Sequence, residues 1–151
     1  MKTVTRLSIL GLILIVAVGL AYAGFSKPED AVKYRKSAMQ LIGYHFKSMG
    51  AVVQGKMAYD TAAFERDAKI VAAVSDAAWE DALAEGSAMG DTTLKESALK
   101  DKAGFLATAK NFHAAALSLA AAAEKGDLDT AKGAFGETAK NCGACHKTYR
   151  K

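Results

Sequence analysis

Residues 128–149 read LDTAKGAFGETAKNCGACHKTY and carry the most regular hydrophobic pattern in the 151-residue chain. Core-type positions recur at alternating steps of three and four residues, which places them on one face of an α-helix. A repeat averaging about 3.5 residues is typical of the seam of a left-handed helix bundle. The stretch therefore predicts a bundle helix whose inward face consists of Leu128, Ala131, Phe135, Thr138, Cys142, Cys145 and Tyr149.

Three further helical segments precede this one. The first begins at Pro28, within an S-x-x-E sequence (residues 26–29) that has the form of a capping box. Asp60 or Thr61 can cap the second helix. Residues 80–97 are rich in Gly, Asp, Ser and Thr and predict a long connection before the third. We therefore expect an all-α fold, an antiparallel left-handed four-helix bundle.

The motif Cys142-x-x-Cys145-His146 has the spacing of a c-type haem attachment site. In such a site two thiols form thioethers with the porphyrin vinyl groups, and the adjacent imidazole supplies an axial nitrogen to the iron. Residues three and four apart share a helix face, so all three side chains project to one side. The motif predicts one covalent haem c, and its position on the seam places the haem in the bundle core.

Other uses of a C-x-x-C pair fit this chain less well. A redox disulfide of the thioredoxin type requires a βαβ context, which the helical pattern lacks. A structural zinc site commonly has two spaced ligand pairs, and this chain has no cysteines other than Cys142 and Cys145. A chance match to three fixed positions remains the third alternative.

The N-terminal residues 1–23 have the composition of a secretion signal. Lys2 and Arg6 form a positively charged start, residues 7–20 are mostly apolar, and Ala21-Tyr22-Ala23 is a small-x-small cleavage site. The apolar run is shorter than the roughly 20 residues that span a bilayer, although an uncleaved anchor is the alternative. Because c-type haem is attached outside the bacterial cytoplasm, we expect a periplasmic protein without membrane attachment after cleavage.

The remaining residues 24–151 predict one domain. Residues 1–23 contain two of the 20 basic residues and none of the 16 acidic ones, so without them the net charge falls from +4 to +2. The charges alternate and form no basic stripe, which argues against nucleic acid as a partner. No nucleophile–base pair or carboxylate dyad stands out, so we expect a protein that is not an enzyme.

Residues 24–151 resemble cytochrome c′, the four-helix class of bacterial c-type cytochromes. The resemblance rests on the C-terminal C-x-x-C-H motif followed by Tyr149-Arg150, on KPEDAVKYR at residues 27–35, and on the pair His45-Phe46. Ordinary electron-transfer cytochromes c carry the motif near the N-terminus instead. The resemblance implies that Cys142 and Cys145 hold the haem covalently and that His146 is the proximal iron ligand.

The resemblance also implies roles for side chains of the first helix. Arg35 matches an arginine near a haem propionate, and a glutamate on a neighbouring helix is its alternative partner. Lys36 stands beside it where many members have glutamine, and Met39 matches the residue that covers the distal face of the iron. Arg150 matches a basic residue close to the proximal pocket. We expect the two remaining histidines, His45 and His113, to be structural or surface residues and not iron ligands.

The function that the resemblance implies depends on the sixth coordination position. If Met39 only covers the iron, the haem is five-coordinate and high-spin, and it binds NO or CO, with electron transfer to redox partner proteins as a further role. If the Met39 sulfur ligates the iron, the protein is a low-spin electron carrier. A sensory haem module would need a fused effector domain. The resemblance implies a homodimer, for which Val52, Val53 and Met57 are candidate contacts.

Overall fold

A computed structural model describes residues 24–151, and the predicted secretion signal, residues 1–23, lies outside them. The described chain contains no β-strand beyond one isolated bridge, and the predicted all-α four-helix bundle is confirmed. None of its helices is both long and apolar enough to cross a bilayer. The elements in chain order are α1 Pro28–Val53, α2 Thr61–Ser75, α3 Ser97–Lys100, α4 Lys102–Ala123 and α5 Leu128–Tyr149. Four of them are the long bundle helices, and α3 is a single turn that precedes the third long helix, α4.

The predicted capping box at the start of α1 is wrong by one residue. Lys27 is the capping residue and makes no side-chain cap bond, while its carbonyl accepts hydrogen bonds from the amides of Asp30 and Ala31. Pro28 occupies the first helical position, which suits its fixed φ and its missing N–H. Ser26 therefore lies one residue too far from the helix to cap it.

Aspartates cap the other three long helices in one repeated geometry. The Asp60 carboxylate accepts a hydrogen bond from the amide of Ala63, three residues later, at 2.9 Å. Asp101 and Asp127 do the same for α4 and α5. Of the two candidates at the start of α2, the cap is therefore Asp60 and not Thr61, which is the first helical residue. Each such cap satisfies an amide that has no partner within the helix and contributes about 1 kcal/mol.

The hydrophobic core lies mainly among α1, α2 and α4. Its fully buried side chains include Met49, Val71 and Leu119, and burying a side chain of this size contributes roughly 1.5–3 kcal/mol. Val52 is also buried in this core, and Val53 packs against it. Both were predicted to lie on an exposed apolar face, which is wrong because the last turn of α1 directs them into the protomer itself.

Helices α1 and α5 are antiparallel and meet through an aromatic stack. The rings of Phe46 and Phe135 lie 4.2 Å apart and nearly parallel. Gly50 lies beside this stack, and a Cβ atom there would be in ordinary van der Waals contact with the Phe135 ring, at 3.4 Å. A long irregular connection, residues 76–96, follows α2 and is called the strap below. This connection confirms the prediction for residues 80–97 apart from its last residue, which begins α3.

The strap joins the N-terminal half of α1 to the C-terminal end of α5. On the α1 side it binds the guanidinium of Arg35. On the α5 side the amide of Lys95 donates to the carbonyl of Tyr149 at 2.8 Å, and the amide of Lys151 donates to the carbonyl of Thr93 at 2.7 Å. The start of α1 and the end of α5 therefore lie at the same end of the bundle.

Candidate haem site

The Phe46–Phe135 stack fixes which residues of α1 and α5 face each other. Met39 precedes Phe46 by seven residues, and Cys142 follows Phe135 by seven, so each lies two helical turns from the stack on the same face. Because the helices are antiparallel, both displacements run toward the strap. Met39 therefore lies at the level of Cys142, and the space between α1 and α5 from the aromatic stack to the strap is called the cleft below.

The two cysteines have the placement that thioether attachment requires. Both are free thiols, half-buried and packed against the hydrophobic core. The hydroxyl of Thr108 on α4 lies 3.4 Å from Sγ of Cys145, a contact that the sequence pattern did not indicate. Burial, followed by the neighbouring Cys145, raises the pKa of the Cys142 thiol. Two thiols on one inward helix face fit a porphyrin edge, so the residues present fit a covalent haem.

His146 lies at the solvent-facing edge of the same cleft. Partial burial lowers the pKa of its imidazole, and the positive charge of Arg150 lowers it further. A neutral imidazole presents a nitrogen lone pair, which is the form that binds iron. The three residues of the motif are therefore together on α5, with the chemistry that holding a haem requires.

Arg35 is buried but makes no ion pair within the described residues. Its Nη1 donates to the carbonyl of Ala82 and to Oγ of Ser87 at 3.0 Å, and its Nη2 donates to the carbonyl of Ser87 at 2.5 Å. A weaker contact of 3.4 Å joins Nη2 to Oγ1 of Thr92. The expected alternative partner, a glutamate on a neighbouring helix, is wrong, because the strap supplies neutral oxygens in its place. Burial lowers the pKa of this guanidinium.

Lys36 and Arg150 lie on the surface at the same end of the bundle. The Nζ atom of Lys36 pairs with the Asp91 carboxylate of the strap at 2.5 Å, and both side chains are well exposed. Arg150 follows the last residue of α5 and forms the isolated bridge with Leu94. Exposed pairs of the Lys36–Asp91 kind contribute at most about 1 kcal/mol.

The other two histidines are engaged between helices away from the cleft. Nδ1 of His45 lies 3.1 Å from a carboxylate oxygen of the buried Asp67, which joins α1 to α2. Nδ1 of His113 lies 2.8 Å from Oγ of Ser75, which joins α4 to α2. These contacts are those of structural histidines. Across the described residues, Met39 is therefore the side chain of α1 that faces the cysteine motif and could ligate a metal.

Comparison with known proteins agrees with this geometry. A family model described as Cytochrome C' matches residues 30–150. Cytochrome c' from Alcaligenes xylosoxydans xylosoxydans is 39% identical over 127 residues, which cover 84% of this chain and 98% of the relative. The protein from Rubrivivax gelatinosus is 37% identical over 127 residues, covering 83% and 98%.

Solved structures show the same similarity in three dimensions. Cytochrome c prime from Shewanella frigidimarina superposes with a TM-score of 0.80 at 40% identity, covering 84% of this chain and 98% of that one. A leucine variant of cytochrome c prime from Alcaligenes xylosoxidans, solved as a nitric oxide complex, gives a TM-score of 0.76 at 38% identity, covering 84% and 98%. The chain therefore belongs to the cytochrome c′ family, whose members carry a covalently attached c-type haem.

Proposed function

We propose that this chain is a periplasmic haem protein whose iron is five-coordinate and high-spin, with His146 as the proximal ligand and NO or CO bound on the opposite face. The observation that carries the proposal is the position of Met39 across the cleft from Cys142. This side chain is 40% exposed, so it covers the cleft without being packed into place. An apolar cover of this kind admits small neutral ligands and disfavours charged ones.

The nitric oxide complexes of the Alcaligenes xylosoxidans protein support gas binding. Those structures are 38% identical to this chain over 84% of its length. NO binding to iron needs a coordination position that a protein side chain does not hold permanently. We infer the same for this chain, with electron transfer to redox partner proteins as a second role and with no catalytic turnover of its own.

A low-spin, six-coordinate electron carrier is the second candidate, because the residue across the cleft is a methionine. A methionine thioether facing an axial histidine is a known haem ligand pair and raises the reduction potential. Because Met39 is incompletely packed, its sulfur has room to move toward the iron. The two candidates therefore differ in the position of one atom.

Substitution of Met39 separates the two candidates. We expect ferric absorption and electron paramagnetic resonance spectra of the purified protein to show high-spin iron. Met39→Leu should leave that spectrum unchanged, and Met39→Ala should bind CO faster because the cover over the iron becomes smaller. Met57→Ala, which changes an exposed methionine outside the helices, is the matched control. A low-spin spectrum that becomes high-spin in both Met39 variants would establish the electron carrier instead.

The haem propionates are proposed to lie near Arg35 and Lys36, with Arg150 close to the proximal side. The contacts of Arg35 with the strap use Nη1 and Nη2. A guanidinium has five N–H groups, so Nε–H is the group of Arg35 that would bind a propionate. Lys36 would bind a propionate by giving up its ion pair with the exposed carboxylate of Asp91.

A homodimer is proposed through the outer face of α1. Leu41 and Tyr44 are 50% and 73% exposed there. They replace Val52 and Val53 as candidate dimer contacts, because those two pack within the protomer. Sedimentation velocity at micromolar concentration should give a dimer for the unmodified protein and a monomer for the Leu41→Glu/Tyr44→Glu variant. Leu117→Glu changes a side chain of similar exposure on α4 and should leave the dimer intact. A monomer in the unmodified protein would contradict the proposal.

A further inference from the structure

One carboxylate joins the start of α4 to the end of α5. Oδ1 of Asp101 accepts a hydrogen bond from the amide of Gly104 at 3.0 Å, which caps α4. Oδ2 of the same residue accepts one from the hydroxyl of Tyr149 at 2.7 Å. The Tyr149 ring is only 5% exposed and packs edge-on against Phe105 at 5.4 Å. The capping residue of one helix is therefore also the anchor of another helix's last residue.

Gly104 provides the space for this contact. A Cβ atom at that position would lie 2.3 Å from Oδ2 of Asp101 and 2.6 Å from the hydroxyl oxygen of Tyr149. Both distances are far below van der Waals contact, so any larger residue displaces the carboxylate or the phenol. A glycine in the first turn of a helix costs helix propensity, and here it is explained by the hydrogen bond that it permits.

The main chain of the same turn is held by the strap. The amide of Lys95 donates to the carbonyl of Tyr149 at 2.8 Å, and its Nζ donates to the carbonyls of Lys147 and Thr148, each at 3.1 Å. The last carbonyls of a helix have no partner within it, and the strap supplies one to each of these three. Together with the phenol, these bonds fix the turn that follows His146 from two sides.

His146 itself lacks such support. Metal-ligating histidines usually donate their second ring N–H to a carboxylate or carbonyl, which sets the orientation of the ring. Within residues 24–151 the His146 ring makes no hydrogen bond. The orientation of the ring must therefore come from the position of its backbone. Tyr149 lies one turn further along the same helix, so whatever holds Tyr149 also holds the backbone of His146.

We propose that the Tyr149–Asp101 hydrogen bond is a positioning clamp for His146, which holds the last turn of α5 so that the imidazole meets the haem iron in one orientation. The inference rests on the proposed ligation by His146. The hydrogen bond to Asp101, burial, and the charges of Asp101 and Cys145 raise the pKa of Tyr149 to about 12. The phenol therefore stays protonated and remains a donor at ordinary pH.

The test is the iron–histidine stretching band of the ferrous holoprotein, measured by resonance Raman spectroscopy. Tyr149→Phe removes only the hydroxyl, and Asp101→Ala removes its acceptor. Gly104→Ala adds a methyl group that pushes the carboxylate and the phenol apart. All three variants should shift and broaden the band. Asp101→Asn should leave it in place, since an amide can accept from Gly104 through its oxygen and donate to the phenol oxygen through its nitrogen.

Two controls separate positioning from stability. Asp127→Ala removes an equivalent cap at the far end of α5 and should lower the melting temperature without moving the band. Ser118→Ala removes an exposed hydroxyl from α4 and should do neither. A melting temperature that falls in Tyr149→Phe while the band stays unchanged overturns the clamp. Absence of an iron–histidine band in the unmodified ferrous protein contradicts the five-coordinate, His146-ligated iron of the proposed function instead.

Discussion

Replacing Cys142 and Cys145 with alanine is expected to abolish covalent haem attachment completely. The two thiols are the only cysteines in the chain, and both face the cleft from one side of α5. Without the porphyrin, the cleft between α1 and α5 is closed only by the Phe46–Phe135 stack and the strap. We expect the melting temperature to fall by roughly 10 °C or more, which corresponds to about 2.5 kcal/mol of lost stability at about 4 °C per kcal/mol for a domain of this size.

Intact-mass measurement after periplasmic expression checks this result. The unmodified protein should have the mass of residues 24–151 plus one haem, which also tests cleavage after Ala23. The double variant should lack the haem mass, and each single variant should retain haem through one thioether. Ala144→Ser, a change at a variable position within the motif, is the control and should load normally. A double variant that keeps haem after acid–acetone extraction would contradict covalent attachment at these residues.

Replacing Arg35 with methionine is expected to lower the free energy of unfolding by about 3 kcal/mol. The substitution leaves the carbonyls of Ala82 and Ser87 and the Ser87 hydroxyl without their donor, and an unsatisfied buried group costs about 1–3 kcal/mol. Ala82 and Ser87 are both fully buried, so water does not readily replace the guanidinium. The strap should then detach from α1 more often.

Urea unfolding and limited proteolysis measure the two effects of the Arg35 variant. A glutamate-specific protease should cut the variant faster at Glu80 and Glu85 in the strap. Lys36→Met removes the neighbouring exposed ion pair and should change stability by less than about 1 kcal/mol. Equal stability and equal cleavage rates for Arg35→Met and the unmodified protein would show that the strap does not depend on this residue.

Local signals along the chain predicted much of this molecule. The alternating steps of residues 128–149 predicted α5 over its full length, because helix periodicity is a property of neighbouring residues. Asp60 acts as a cap because a carboxylate reaches an amide three residues away whatever the rest of the fold does. The cap of α1 was misplaced by one residue. Pro28 is the first helical residue, so the capping position is Lys27 and not Ser26.

The sequence by itself determined the four long helices and the placement of two thiols and an imidazole on one helix face, because each depends on spacings of three or four residues. Only the tertiary structure decided which groups meet across long separations. Arg35 meets Ser87, and Asp101 meets Tyr149, across separations of 52 and 48 positions in the sequence. The strap is irregular, so no periodicity indicates its partners. Its contacts follow from how α1, α4 and α5 pack, and that packing places Met39 opposite the haem-binding motif.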